Sequence, residues 1–144
     1  MVEGQEDAVL LPRAFKLAGS ELVGTIFGWG SGGQGNVAKI VGLLKDLGFA
    51  RVAAVLDNNV PETANAIRAA HADVLVAEIP AADIRDKPAG NSSRVEGLLS
   101  EDGKTIKEDL KADAKDILDE ISEYLKTGRI AAKTDVLKDP GMQS

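Results

Sequence analysis

Two short apolar runs set among amphipathic helical patterns constrain this chain most. Val52-Ala53-Ala54-Val55-Leu56 carries no polar side chain and stops at Asp57, and residues 74–79 are nearly as apolar. A strand with no polar face cannot turn a side to water, so both of its faces must be covered, as in a parallel sheet flanked by helices. The intervening segments read as helices. Val37, Ile40, Val41, Leu44 and Leu47 share one helical face before Gly48, and a second helix is expected over 61–70. Strand alternating with helix predicts an α/β fold with an open, mostly parallel central sheet and helices on both faces.

The same periodicities extend to the rest of the chain. Leu10, Leu11, Ala14, Phe15 and Ala18 repeat at helical spacing up to Gly19, with Pro12 inside the pattern. Met1-Val2, running straight into Glu3-Gly4, reads as the end of a strand whose beginning lies outside the sequence. Residues 22–29 read as a further strand that opens into the glycine-rich stretch 28–35. Residues 83–88 and 90–93 are charged or polar and read as irregular loop. Thr105 and Glu108 form a Thr-x-x-Glu capping box at the start of a long helix, and Gly128 ends it. The expected organisation is one domain over 1–130, with its chemistry in 1–100 and a helical extension at 105–127, followed by a tail over 131–144.

Composition narrows the chemistry. With no cysteine and a single histidine, His71, thiolate and multi-histidine metal sites are excluded, so any metal would be a hard, oxygen-bound ion such as Mg²⁺ or Mn²⁺. Aromatics at 3% leave little for stacking single-stranded bases. The net charge of -6 gives nucleic acid no general electrostatic attraction. No apolar run approaches the roughly 20 residues of a membrane span, and the simplest expectation is a cytoplasmic protein.

In an open parallel sheet the carboxyl ends of the strands converge on one edge, where ligands bind. Glu3-Gly4, the glycine loop and Asp57-Asn58-Asn59 each come directly after an expected strand. Asp7 lies one helical turn beyond Glu3, so both can face one pocket. Carboxylates crowded together repel one another unless a cation sits between them, which is the reason to suspect metal. Each has a plainer alternative. Acids in a first helical turn favour the macrodipole, Asp57 suits a turn at a strand end, and Ser93-x-x-Glu96 is also a capping-box pattern. Asp83 and Asp86 read as solvated loop charges, and His71 as an ordinary residue near a helix end.

Val2-Glu3-Gly4-Gln5-Glu6-Asp7 resembles the Glu-Gly-x-x-Asp opening of TOPRIM domains. Residues 30–48, Val55-Leu56-Asp57-Asn58-Asn59, residues 79–88 and Glu96-Gly97-Leu98-Leu99 are similar to the nucleases of the OLD family, in which a TOPRIM domain comes after an ATPase. The resemblance spans roughly residues 2–125. It implies a TOPRIM-like, Rossmann-like fold and a Mg²⁺- or Mn²⁺-dependent endonuclease or nickase acting on DNA, with one or two ions. The parent protein would contain an ATPase domain and could form a homo-oligomer. Glu3 would be a metal ligand or general base, and Asp7 and Asp57 metal ligands. Asn59 stands where the family has a second aspartate; its amide oxygen can coordinate an ion but adds no charge, which weakens the second metal of a two-metal mechanism. Ser93 and Glu96 would complete the metal set, and Lys133 is the candidate for a lysine that stabilises the transition state. Gly30, Gly32 and Gly33 would let the backbone approach phosphate.

Two other readings stay open. Residues 30–35 match Gly-x-Gly-x-x-Gly between a strand and a helix, with Asp57 closing the next strand, as in dinucleotide-binding folds. That reading puts the glycines after the second strand and leaves Glu3, Gly4 and Asp7 without a role. A TOPRIM-like domain with weak metal binding could instead serve in regulation or assembly.

Overall fold

A computed structural model describes residues 1–2, 5–27, 37–88 and 95–130. The fold is mixed α/β, with four helices and two short parallel two-stranded sheets among the described residues. In chain order the elements are α1 (Gln5–Ala18), α2 (Val37–Asp46), β1 (Ala53–Leu56), α3 (Pro61–Ala70), β2 (Leu75–Glu78), β3 (Asp83–Arg85), β4 (Gly97–Leu99) and α4 (Lys111–Thr127).

β1 pairs in parallel with β2, from Ala53 against Leu75 to Leu56 against Glu78. Every β1 residue is buried, and alternate side chains enter separate cores. Ala53 and Val55 join Leu75 and Ala77 beneath α1 and α4, where Phe15, Leu118, Ile121 and Tyr124 pack. Ala54 and Leu56 join Val76 on the other side, beneath α2 and α3, with Val37, Val41, Leu44 and Ile67. The apolar run at 52–56 therefore has helices on both faces, as its composition demands. Pro61 opens α3, where its missing N–H costs nothing. Gly128 ends α4 in the left-handed conformation at φ 79°, donating its N–H to the Tyr124 carbonyl 2.7 Å away. α1 runs unbroken through Pro12.

Three segments depart from the sequence expectation. Residues 22–27, expected to begin a strand, make no regular pairing; Gly24 interrupts the extended run at φ +89°, and the Val2 N–H donates to the Phe27 carbonyl at 2.8 Å. The expected loop at 83–88 holds β3, which pairs in parallel with β4, and Lys87 continues as an antiparallel bridge to Val95. Ile84 is its anchor, 2% exposed, while Asp83 and Arg85 point the other way. The long helix starts at Lys111 rather than Thr105, and no capping box forms. Ile106 instead bridges Leu99, and the Thr105 N–H donates to the Ser100 hydroxyl at 3.2 Å.

Gly97 fixes how closely β3 and β4 approach. A β-carbon there would lie 1.9 Å from the Arg85 carbonyl carbon, so glycine is a steric requirement. Beside it, Asp86 is buried at 7% exposure and is no solvated loop charge. Its carboxylate accepts the Gly97 N–H at 2.8 Å and the Lys107 ammonium at 2.7 Å. No helix among the described residues is long and apolar enough to cross a membrane.

Candidate metal centre

The first residues of the chain set the position of the site. The Met1 amino group donates to the Ala53 carbonyl at 2.6 Å, the Val55 N–H donates to the Met1 carbonyl at 2.8 Å, and Val2 bridges Val55 in parallel. The start of the chain thus runs alongside β1 and delivers the first turn of α1 to the carboxyl end of that strand. Two further main-chain bonds tie the segment after β2 to the end of β1 and the turn beyond it: Ile79 N–H to the Leu56 carbonyl at 2.9 Å, and Asn58 N–H to the Ala81 carbonyl at 3.0 Å. They bring the start of β3 to the same edge.

Three carboxylates meet there. Asp7 comes from α1, Asp57 from the end of β1 and Asp83 from the start of β3; one oxygen of each lies within 4.8 Å of the others. All three residues are half-buried. Around a Mg²⁺ ion, oxygens at 2.0–2.1 Å stand about 3 Å apart when adjacent and about 4.2 Å apart when opposite; around Ca²⁺ the opposite pair is about 5 Å apart. The 4.8 Å limit matches an opposite pair around one hard cation, whereas an adjacent pair at that limit would have to draw together by up to about 2 Å to share it. Between Asp7 and Asp57 lies a cavity of about 10 Å³, walled by Val2, Leu11, Val55 and Ile84, the space of about one water.

A band of charge borders the triad. The two-residue period of β3 puts Asp83, Arg85 and Lys87 on one face, against the first turn of α1. Glu6 receives the Arg85 guanidinium at 2.7 Å and the Lys87 ammonium at 3.1 Å. Burial alone would raise the Glu6 carboxyl, but the bonds from Arg85 and Lys87 outweigh it and hold the group below its usual value. Lys87 also lies 2.8 Å from Asp83, whose second oxygen accepts the Ile84 N–H at 2.7 Å. The hydrogen bond to Asp83, with that to Glu6, raises the Lys87 ammonium above its ordinary value against the opposing effect of burial.

Of the residues expected from sequence, the structure brings Asp7 and Asp57 together. Asn59 lies exposed in the turn after β1. Glu96 is exposed and faces Lys107 at 3.6 Å, outside the triad. Glu3, Gly30, Gly32, Gly33, Ser93 and Lys133 lie outside the described residues. Asp83, expected as a solvated loop charge, instead completes the triad. Nothing local marks it, because its partners are 26 and 76 residues away in the chain. An apolar cavity of about 290 Å³ lies under residues 22–27 and is lined by Phe15, Phe27, Phe49 and Leu125 among others. No carboxylate side chain lines it, so it offers no metal ligands.

Set against family models, curated proteins and solved structures, the chain matches none of them.

Proposed function

We propose that this chain is a TOPRIM-like domain that binds a divalent metal and hydrolyses nucleic-acid phosphodiesters, as the catalytic part of a larger ATPase-linked nuclease. The observation that carries the reading is the meeting of Asp7, Asp57 and Asp83 at the carboxyl end of β1. Oxygen-only donors of this kind suit Mg²⁺ or Mn²⁺. When bound, such an ion supplies Lewis-acid polarisation of a phosphoryl oxygen and a more acidic water.

The chain's own residues do the rest. Asp7 and Asp57 are the ligands that the TOPRIM resemblance implies, and the same resemblance gives Glu3, outside the described residues, the role of ligand or base. Asp83 adds the negative charge that Asn59 lacks, which restores a third carboxylate from a different strand. Arg85 and Lys87 flank the acids and give a phosphate something to approach on an otherwise acidic surface. DNA is the proposed substrate.

The test pairs metal binding with cleavage. Mn²⁺ at a hundred times its dissociation constant should stabilise the fold by about 2.7 kcal/mol, and Asp57→Asn should remove most of that gain. Mn²⁺-dependent nicking of supercoiled plasmid should vanish in the same variant. A thermal transition indifferent to Mn²⁺ would overturn the metal centre, and binding without nicking would overturn the phosphodiester chemistry alone.

A further inference from the structure

We propose that Lys87 is a tethered counter-cation of this centre, one that lowers its affinity for metal and so sets the concentration at which the site fills. The inference rests on the metal-centre reading and adds a regulator to it. Lys87 is held by its backbone: its N–H donates to the Val95 carbonyl at 3.0 Å, and the Val95 N–H returns to the Lys87 carbonyl at 3.1 Å. The side chain leaves that bridge on the face of β3 that carries Asp83, and its ammonium spans Asp83 at 2.8 Å and Glu6 at 3.1 Å.

That placement has two consequences. Without metal, Lys87 offsets the charge on one of three crowded carboxylates, so the triad can exist without an ion. With metal, the same ammonium is a like charge close to the ion and a rival for an oxygen of Asp83. A like charge within ~4–6 Å ordinarily moves an ionic equilibrium by a factor of about ten or more. Arg85 is not equivalent, because its guanidinium is bound to Glu6 and to the carbonyls of Asp86 and Glu101. Of these two bases, Lys87 is the one that joins the triad to the flanking acid.

The experiment measures Mn²⁺ affinity by the electron-paramagnetic signal of the free ion, on the full chain. It uses the wild type, Lys87→Met, Lys87→Arg and Asp83→Asn, with metal-free thermal unfolding of each. Lys87→Met should bind Mn²⁺ about tenfold more tightly, and its advantage should shrink in high salt. Lys87→Arg should stay near wild type, and Asp83→Asn should bind more weakly than either. A lysine with only a structural role would lower the unfolding temperature and leave affinity the same or weaker; that result overturns the proposal while wild-type binding preserves the centre. If neither wild type nor Lys87→Met binds Mn²⁺, the centre falls and the proposal with it. Binding by Lys87→Met alone would uphold both.

Discussion

Replacing Asp86 should cost this fold far more than a charged residue in a polar stretch of sequence would suggest. Its carboxylate, 10% exposed, accepts one bond from the Gly97 backbone and one from Lys107, itself 25% exposed. Asp86→Ala leaves the Gly97 N–H without this acceptor, at about 1–3 kcal/mol, and leaves the Lys107 ammonium with only its longer contact to exposed Glu96 at 3.6 Å. Losing one partner of a buried ion pair costs about 3–5 kcal/mol in all. Asp86→Asn keeps an acceptor for one donor and should cost about half as much. Lys107→Met should be milder still, because the carboxylate retains Gly97. In the double variant Asp86→Ala with Lys107→Met no ammonium is left without its closest partner, so the two changes should cost about 1–3 kcal/mol less together than separately. Urea unfolding followed by circular dichroism, with EDTA present to silence metal binding, gives each value. An Asp86→Ala loss below about 1 kcal/mol, or strict additivity, would refute the buried pair.

Two further outcomes are expected. Gly97→Ala should cost at least about 4 kcal/mol or prevent folding, because its β-carbon would overlap the Arg85 main chain; near-native stability would show that β3 and β4 do not approach as described. In metal-free buffer, the 144-residue chain with a free Met1 amino group should gain about 2 kcal/mol of stability between pH 6 and pH 8. Burial lowers the Met1 ammonium from 8.0 to about 6, so below pH 6 the fold holds a desolvated charge, and above pH 8 folded and unfolded chains are both neutral there. His71→Gln removes the lone histidine from the same window, and a flat profile in that variant would contradict the buried amino group.

What the sequence disclosed depended on whether the deciding contacts were local. Residues 52–56 announced a covered strand because no side chain there is polar, and Pro61 marked the start of α3 with its own backbone chemistry. Asp7 and Asp57 were legible from the strand and helix ends that they occupy. β3 was not, because two of its three residues are charged and lie on the face opposite Ile84, which is the whole apolar signal. The start of α4 was not legible either, because Thr105 and Glu108 satisfy a capping pattern that loses to the pairing of Ile106 with Leu99. Asp83 and Asp86 lie three residues apart in one polar stretch. One reaches the triad and the other the core, a difference set by partners elsewhere in the chain.

The alternation of β1 between two cores also bears on how sharply the carboxylates are held. Sliding β1 by a single position against β2 would push Val55 into the compartment shaped for Leu56 and the reverse, so both sets of helices resist the same slip. That displacement would carry Asp57 about 3.3 Å along the strand, more than the tolerance of any ion-binding shell. Positional accuracy at the acidic edge is thus borrowed from jigsaw fits on opposite sides of a four-residue strand, and loosening either side should blur the edge before it unfolds the protein.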